Sequence, residues 1–249
     1  MTAPTGERTM TFRETLAQLS GAQKGVARSA PAYSRYVNRR LGRVLAAWAY
    51  TRGLTPNQVT GVSALFTFTG IALLVALPPT WWLGVMVSVS LVLGYAFDSA
   101  DGQVARLTGT GSPAGEWLDH MVDATKISTM PLALAVGFYR FDVVSDPWLL
   151  VPLLNAIVGA VLFFGMILTE KLRAAHGVRS SADVGAGKGP DLRALLVTPT
   201  DYGVLCLSFA LLGAVPVFVG VYTALTALTA AFVAAASVKW FREIRALPR

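Results

Sequence analysis

Between residues 98 and 123 an otherwise apolar chain carries four aspartates, Asp98, Asp101, Asp119 and Asp123, and any fold it adopts must find a place for them. Hydrophobic residues make up 54% of the sequence and charged residues only 14%, with a mean hydropathy of +0.55. That balance is foreign to soluble domains of this size and reads as a membrane protein. At the centre of a membrane helix each acid costs roughly 2.5 to 3.5 kcal/mol, so four in lipid would cost about 10 kcal/mol or more. They are therefore expected to face the bundle interior, water or bound cations. Their spacing agrees: read as helix, Asp98, Asp101, Gly102, Ala105 and Arg106 fall on one stripe, and Gly115, Asp119 and Asp123 on another. Two helices then each present a pair of acids to a shared groove, in which Gly102, Ala105 and Gly115 leave room for a ligand.

The hydropathy pattern predicts an all-α membrane protein with six transmembrane helices, over residues 59–77, 81–97, 117–138, 148–168, 202–215 and 217–238. The last two come from one uncharged stretch. As a single helix it would run about 55 Å, against a hydrocarbon core of about 30 Å, so it must fold back, between Gly213 and Gly220. Of the 21 Lys and Arg residues, all except Lys126 and Arg140 precede the first span, follow the second or fourth, or lie in the C-terminal tail. By the positive-inside rule both termini and the acidic motif are cytoplasmic. The net charge of +7 then reflects topology and contact with anionic lipid, not nucleic-acid binding.

The first 30 residues lack the apolar core of a signal peptide and are expected to form a mobile or loosely docked arm. After them, Val37, Leu41, Val44, Leu45 and Trp48 share one helix face while Arg39, Arg40 and Arg43 share another, the pattern of an amphipathic helix on the cytoplasmic leaflet. The predicted organisation is thus a cytoplasmic arm and interfacial amphipathic helix at 1–55, a six-helix membrane domain at 56–241 and a cytoplasmic tail at 242–249. The Gly- and Ser-rich loop at 174–199 is expected to be partly mobile. Cys206, the single cysteine, reads as a small core residue.

Carboxylates are hard ligands, and no Cys or paired His accompanies them, so Mg²⁺ or Mn²⁺ is expected in preference to zinc. Four acids call for two such ions. Arg106 is placed to answer the further negative charge of a bound diphosphate. The set suits phosphoryl transfer, in which positioning and charge neutralisation do most of the work. Lys126, three residues past Asp123, is suited equally to binding an anionic acceptor or to neutralising Asp123. His120 lies off the stripe and reads as a packing or surface residue, and His176 has no visible partner. Gly109, Gly111 and Ala114 imitate a dinucleotide-binding glycine pattern, but no strand precedes them. Gly187-Lys188 lacks the flanking residues of a P-loop.

The eight positions fit D-x2-D-G-x2-A-R-x8-G-x3-D-x3-D without a departure, and in this the chain resembles the CDP-alcohol phosphotransferase family. Thr55-Pro56-Asn57 through Thr60 is similar to the start of that family's first membrane helix. The resemblance implies a membrane enzyme of phospholipid biosynthesis that transfers the substituted phosphate of a CDP-alcohol to an acceptor alcohol and releases CMP. It implies Asp98, Asp101 and Asp119 as principal ligands of two Mg²⁺ or Mn²⁺ ions, with Asp123 completing the site and serving as general base. Gly102, Ala105 and Arg106 would contact the CDP moiety, Gly115 would allow close helix approach, and Asn57 and Thr60 would add polar contacts near the nucleotide. It also implies a homodimer.

For the substrates, Ser112-Pro113-x-Gly115-Glu116 with Asp119-His120 is similar to the choline and ethanolamine phosphotransferase branch, in which a soluble CDP-linked head group passes to a lipid alcohol. Six spans and an Ala- and Arg-rich composition point instead to a bacterial plasma-membrane protein using CDP-diacylglycerol and a small polar alcohol. Ala124 stands where phosphatidylglycerophosphate and phosphatidylinositol phosphate synthases carry a basic residue. CDP-diacylglycerol is the favoured donor. An ion-coupled transporter is the reading from another class, but transporter sites lie near the membrane midplane, whereas these acids fall at predicted cytoplasmic helix ends.

Overall fold

A computed structural model describes residues 10–21, 31–178 and 197–248, and among them every regular element is helical. Helix α1 is Phe12–Gly21, and a π-helical turn, Ser34–Asn38, runs directly into α2, Arg39–Thr51. Helix α3, Pro56–Ala76, begins at a capping box: Thr55 Oγ1 accepts from the Gln58 N–H while the Gln58 side chain accepts from the Thr55 N–H. Pro56 occupies the first turn, where its missing N–H costs nothing. The sequence Thr55-Pro56-Asn57 therefore starts the helix by its own chemistry.

Helix α4, Trp81–Thr108, is capped by Thr80 and ends at Gly109, whose φ of 66° is the left-handed conformation of a helix stop. Helix α5, Pro113–Arg140, starts at Ser112, which accepts from the Gly115 N–H, with Pro113 in the first turn. The glycines at 109 and 111 thus serve a tight hairpin that sets α4 and α5 antiparallel. After a 3-10 turn at Asp146–Leu149 comes α6, Leu150–Ala175. Helix α7, Tyr202–Ser208, continues as a 3-10 turn, Phe209–Leu211, and α8 is Val215–Arg245.

Two buried clusters hold these elements together. One joins α3, α4, α5, α7 and α8 through Leu74, Leu91, Met130, Leu134, Phe209, Leu212, Phe218 and Tyr222. The other joins α1 to α4 at the end that carries the acids, through Leu19, Ala46, Ala47, Val59, Phe97, Ala100 and Val104. Helix α1 is accordingly docked, with Thr15 and Leu19 buried and Arg43 donating to Ser20 Oγ at 3.0 Å, where the sequence suggests a mobile or loosely docked arm; the rest of the first 30 residues lies outside those described. Ten residues with two inward side chains are too short to register as periodicity. The expectation of a partly mobile 174–199 loop falls largely on residues 179–196, which lie outside those described.

Among the described residues, four helical segments are long and apolar enough to cross a membrane: α3, α4, α6 with its leading turn, and α8. Along α6, Leu150, Leu153, Leu154, Ile157, Val161 and Phe164 are all exposed, an apolar stripe of the kind that meets lipid. Helix α5 matches α4 at 28 residues, but its acids and lysine lower its hydropathy. The apolar helix Tyr202–Leu211 reaches only about 15 Å at 1.5 Å per residue, half a hydrocarbon core. The chain turns at residues 212–214, at the near edge of the expected interval, where Gly213 abuts Trp81 and Pro216 opens α8.

Close helix contacts depend on glycine. A Cβ at Gly94 would strike Thr67 Oγ1, and one at Gly137 would strike the Leu74 carbonyl oxygen of α3. The Gly137→Ala change is expected to destabilise the protein by about 1 to 3 kcal/mol through overpacking. Gly61→Ala, where a Cβ meets nothing within 4 Å, is the control that should not. Thermal midpoints in detergent, followed by size exclusion, make the comparison; equal midpoints for both variants would show that the α3–α5 contact relaxes freely.

Candidate active site

The acids of α4 and α5 converge at the end of the bundle nearest the hairpin. Ligand atoms of Asp98, Asp101 and Asp119 lie within 4.8 Å of one another, and those of Asp119, His120 and Asp123 form a second such group. Asp101 is buried, and Thr60 of α3 donates its hydroxyl to Asp101 Oδ2 at 2.6 Å. Three helices therefore set this cluster, since α3 orients a carboxylate that α4 supplies.

Behind them sits Lys126. Its Nζ lies 2.5 Å from Asp123 Oδ1 and 3.3 Å from Asp98 Oδ1, and its side chain is 4% exposed. Helical side chains lean toward the N-terminus of their helix, so a lysine one turn deeper than Asp123 reaches back onto it. Of the two roles open to Lys126 in the sequence, this contact is charge neutralisation, and it covers Asp98 as well as Asp123. The ammonium also faces the rings of Tyr95 and Tyr202, at 5.9 and 5.2 Å from their centroids.

A cavity of about 1210 Å³ opens over this cluster. Asn57, Thr60, Asp101, Gly102, Ala105, Arg106, Gly115 and Asp119 all line it, as do Met10 and Tyr50. Asp98 and Asp123 are not on its wall and lie one helical turn farther in. Glycine leaves room here: a Cβ on Gly115 would sit 3.1 Å from Asn57 Oδ1 and one on Gly102 3.3 Å from an Arg106 guanidinium nitrogen, so either side chain would have to shift. Arg39 of α2 adds to the basic side of the site: burial, then the like charge of Arg106, holds its guanidinium below the ordinary value.

His120 stands closer to the acids than its off-stripe position suggests, with Nδ1 3.8 Å from Asp119 and Nε2 3.7 Å from Glu116, and its ring packs edge-on against Phe163. Glu116 also pairs with Lys171 at 2.5 Å, tying α5 to α6. Sequence reasoning passed over the residues around Lys126. Tyr95 lies three residues before Asp98 on the same stripe and was legible there. Ser34, Asp201 and Tyr202 carry no local signal, yet Ser34 Oγ shares a hydrogen bond with Tyr95 Oη at 2.9 Å and the Ser34 N–H donates to Asp201 at 2.8 Å.

The donor set is carboxylate oxygen, with His120 at its edge, and Cys206 is buried among apolar side chains of the main core. These groups fit a hard divalent cation. An all-helical bundle with such an acid cluster beside a cavity lined by Gly102, Gly115 and Arg106 defines a class of membrane protein built to hold a hard cation. The sequence profile of the CDP-alcohol phosphatidyltransferase family matches residues 53–236, and the chain belongs to that family.

Similar proteins include archaetidylinositol phosphate synthase of Pyrococcus horikoshii, 31% identical over 105 residues, which are 42% of this chain and 51% of that protein. Cholinephosphotransferase 1 of Xenopus laevis is 32% identical over 80 residues, 30% of this chain and 20% of that one. An uncharacterized CDP-alcohol phosphatidyltransferase class-I family protein of Schizosaccharomyces pombe is 37% identical over 65 residues, 26% of this chain and 17% of its own length. The matches thus span from under a fifth to about half the length of these curated relatives.

Thr60→Val should weaken divalent-ion binding about tenfold, because a hydrogen bond to a charged group contributes about 1.5 to 3 kcal/mol, while Thr60→Ser should keep most of it. Mn²⁺ titration of the purified protein reads this. Unaltered affinity in Thr60→Val would mean that Asp101 holds its orientation without α3.

Proposed function

We propose that this protein is a membrane enzyme of phospholipid biosynthesis that transfers the substituted phosphate of a CDP-alcohol, CDP-diacylglycerol in the favoured reading, to an acceptor alcohol with release of CMP. The observation that carries this is the convergence of Asp98, Asp101 and Asp119 beneath the cavity that Gly102, Ala105, Arg106, Gly115, Asn57 and Thr60 line. Asp98, Asp101 and Asp119 would hold Mg²⁺ or Mn²⁺, with Asp123 completing the loaded site for up to two ions. Such ions, when bound, supply neutralising charge for the donor's diphosphate.

The residues then divide the work. Arg106 holds phosphate oxygens with its guanidinium fork, and the bare surface of Gly102 and Ala105 lets the nucleotide approach the backbone of α4. Asn57 and Thr60 contact it from α3. Asp123 takes the proton of the acceptor hydroxyl as that oxygen bonds to the phosphorus bearing the donor's alcohol. The bond from this phosphorus to the bridging oxygen breaks, and CMP leaves with the electron pair.

The same reading places the protein in a bacterial plasma membrane as six spans, with α5 and the chain from Tyr202 to the turn at 212–214 completing the four longer apolar helices. Both termini and the cavity are cytoplasmic, as the distribution of Lys and Arg supports. Helix α2 lies along the membrane surface: Gly42, Ala46, Ala47 and Ala49 are buried and Leu45 packs against the core, while Leu41, Val44 and Trp48, with Val37 in the turn before the helix, remain exposed for lipid. The organisation is arm and interfacial helix at 1–55, membrane domain at 56–241 and tail at 242–249, assembled as a homodimer. A second reading, transfer of a soluble CDP-linked head group onto a lipid alcohol, is favoured by the similarity to cholinephosphotransferase 1.

The test is CMP release from purified protein in lipid, with CDP-diacylglycerol against a panel of polar alcohols and with soluble CDP-alcohols against diacylglycerol. Mg²⁺ or Mn²⁺ should support release, excess EDTA should abolish it, and Ca²⁺, with its longer and looser coordination, should serve poorly. CMP release that persists in EDTA would remove the metal role.

Asp123→Asn should lower single-turnover CMP release by about 10²-fold or more, the range of a positioned general base, while donor and Mn²⁺ still bind. Asp98→Asn should lose metal and donor binding together. Near-normal turnover in Asp123→Asn would assign the base elsewhere.

A further inference from the structure

The cavity has two ends. Thr60, Asp101 and Asp119 lie at the inner one, and from there the wall runs outward along α4 to Thr108, about 10 Å at 1.5 Å per residue, and along α3 to its start at Pro56. The outer end is walled by the last turn of α2 and by the chain entering α1, through Tyr50 and Met10. Both residues lie outside 53–236, the part of the chain that matches the family profile.

Local chemistry fixes both side chains. Helix α2 stops at Gly53, whose φ is 70°: the Gly53 N–H donates to the Tyr50 carbonyl at 2.9 Å and the Leu54 N–H to the Ala49 carbonyl at 3.0 Å. Ala46, Ala47 and Ala49 take the buried face of that helix, which leaves Tyr50 half-buried on the cavity wall. Trp48 packs against Phe97 and carries Arg52 over its ring, whereas no ring or cation among the described residues covers Tyr50. Met10 is set by the start of α1, where Glu14 accepts from the Thr11 N–H at 2.8 Å and the Thr11 hydroxyl at 2.9 Å. Helix α1 is held in turn by Leu19, in one cluster with Ala46 and Ala47, and by the Arg43–Ser20 hydrogen bond.

A nucleotide whose diphosphate sits at the inner end, by the acids and Arg106, carries its base outward, to an uncovered aromatic face and a thioether. Every base has a face that stacks on such a ring, and a thioether sulfur makes favourable contact with aromatic edges. We propose that Tyr50 and Met10 form a base-binding wall, in which the donor's nucleobase lies against the Tyr50 ring with Met10 beside it, and that nucleotide binding and the docking of α1 therefore reinforce each other. This rests on the nucleotide-donor reading given above. A ligand that touches Met10 binds the docked form of α1 in preference, and by reciprocity the bound ligand holds α1 down.

Calorimetric titration of CDP into the purified full chain, in detergent with saturating Mg²⁺, tests the wall without reference to turnover. Tyr50→Ala should raise the Kd for CDP about tenfold or more through lost stacking, and Tyr50→Leu, which keeps bulk but not the ring, should lose most of the same affinity. Tyr50→Phe should stay within about twofold of the wild type, because the ring face and not the hydroxyl makes the contact. Tyr50 belongs to neither buried cluster, so nucleotide-free thermal midpoints should be unchanged. Inorganic pyrophosphate, which has no base, should bind wild type and Tyr50→Ala alike. In the wild type, amide exchange over α1 should slow when CDP is added and not when pyrophosphate is. Unaltered CDP affinity in whichever of Tyr50→Ala and Tyr50→Leu elutes as folded protein overturns the proposal, as does an equal loss in Tyr50→Phe or for pyrophosphate. Exchange in α1 that is indifferent to CDP overturns the coupling. A wild type that binds no CDP in Mg²⁺ sinks the nucleotide-donor reading itself, a result distinct from these.

Discussion

Burying five charged side chains between two helices is the problem around which this fold is arranged. Asp98, Asp101, Asp119, Asp123 and Lys126 sit on facing stripes of α4 and α5, and each would be costly in hydrocarbon. The cost is contained by contacts from three neighbouring elements. Helix α3 donates Thr60 to Asp101, α7 brings the ring of Tyr202 against the lysine, and the turn before α2 holds Tyr95 through Ser34 and Asn38, whose side-chain amide donates to the Tyr95 carbonyl. Breaking a buried ion pair by removing one partner costs more than the pair contributes, so these contacts act as one unit.

Local chemistry made much of this legible in advance. The acid stripes follow from the 3.6-residue period alone, and Thr55-Pro56-Asn57-Gln58 announces a helix start through capping and proline together. Gly109 looked like part of a nucleotide-binding loop only until the absence of a strand was weighed; its left-handed backbone is a helix stop. What escaped the sequence depends on packing between distant segments. Helix α1 is too short for its two inward residues to show a period. The contact of Lys126 with Asp98 joins two helices, so no spacing within either could show it, although its pairing with Asp123 was foreseeable from helix geometry.

The substrate question has a similar origin. Ser112-Pro113-x-Gly115 invites comparison with head-group transferases, yet the Ser112 side chain is occupied in capping α5 and Pro113 in fixing its first turn. A motif used by the backbone for its own purposes carries little information about an acceptor. The similarity to an archaetidylinositol phosphate synthase covers more of this chain than that to cholinephosphotransferase 1.

The glycine contacts divide the molecule mechanically. Gly94 brings α4 against Thr67 of α3, Gly70 meets Ser90 and Leu91, and Gly137 seats α5 on the carbonyl of Leu74. These three helices form a wedge whose spacing is set by backbone and cannot drift without strain. Helix α6, by contrast, is only 11% buried over its apolar stretch, and its contact with α5 is made at Gly159 against the Ile127 side chain and through the Glu116–Lys171 pair, side chains that can adjust where backbone cannot. Under the proposed function, sequence change could therefore accumulate on the α6 side and reshape what approaches Asp123 while the α3–α4–α5 geometry stays put, which would let one scaffold acquire new acceptors without rebuilding its donor site.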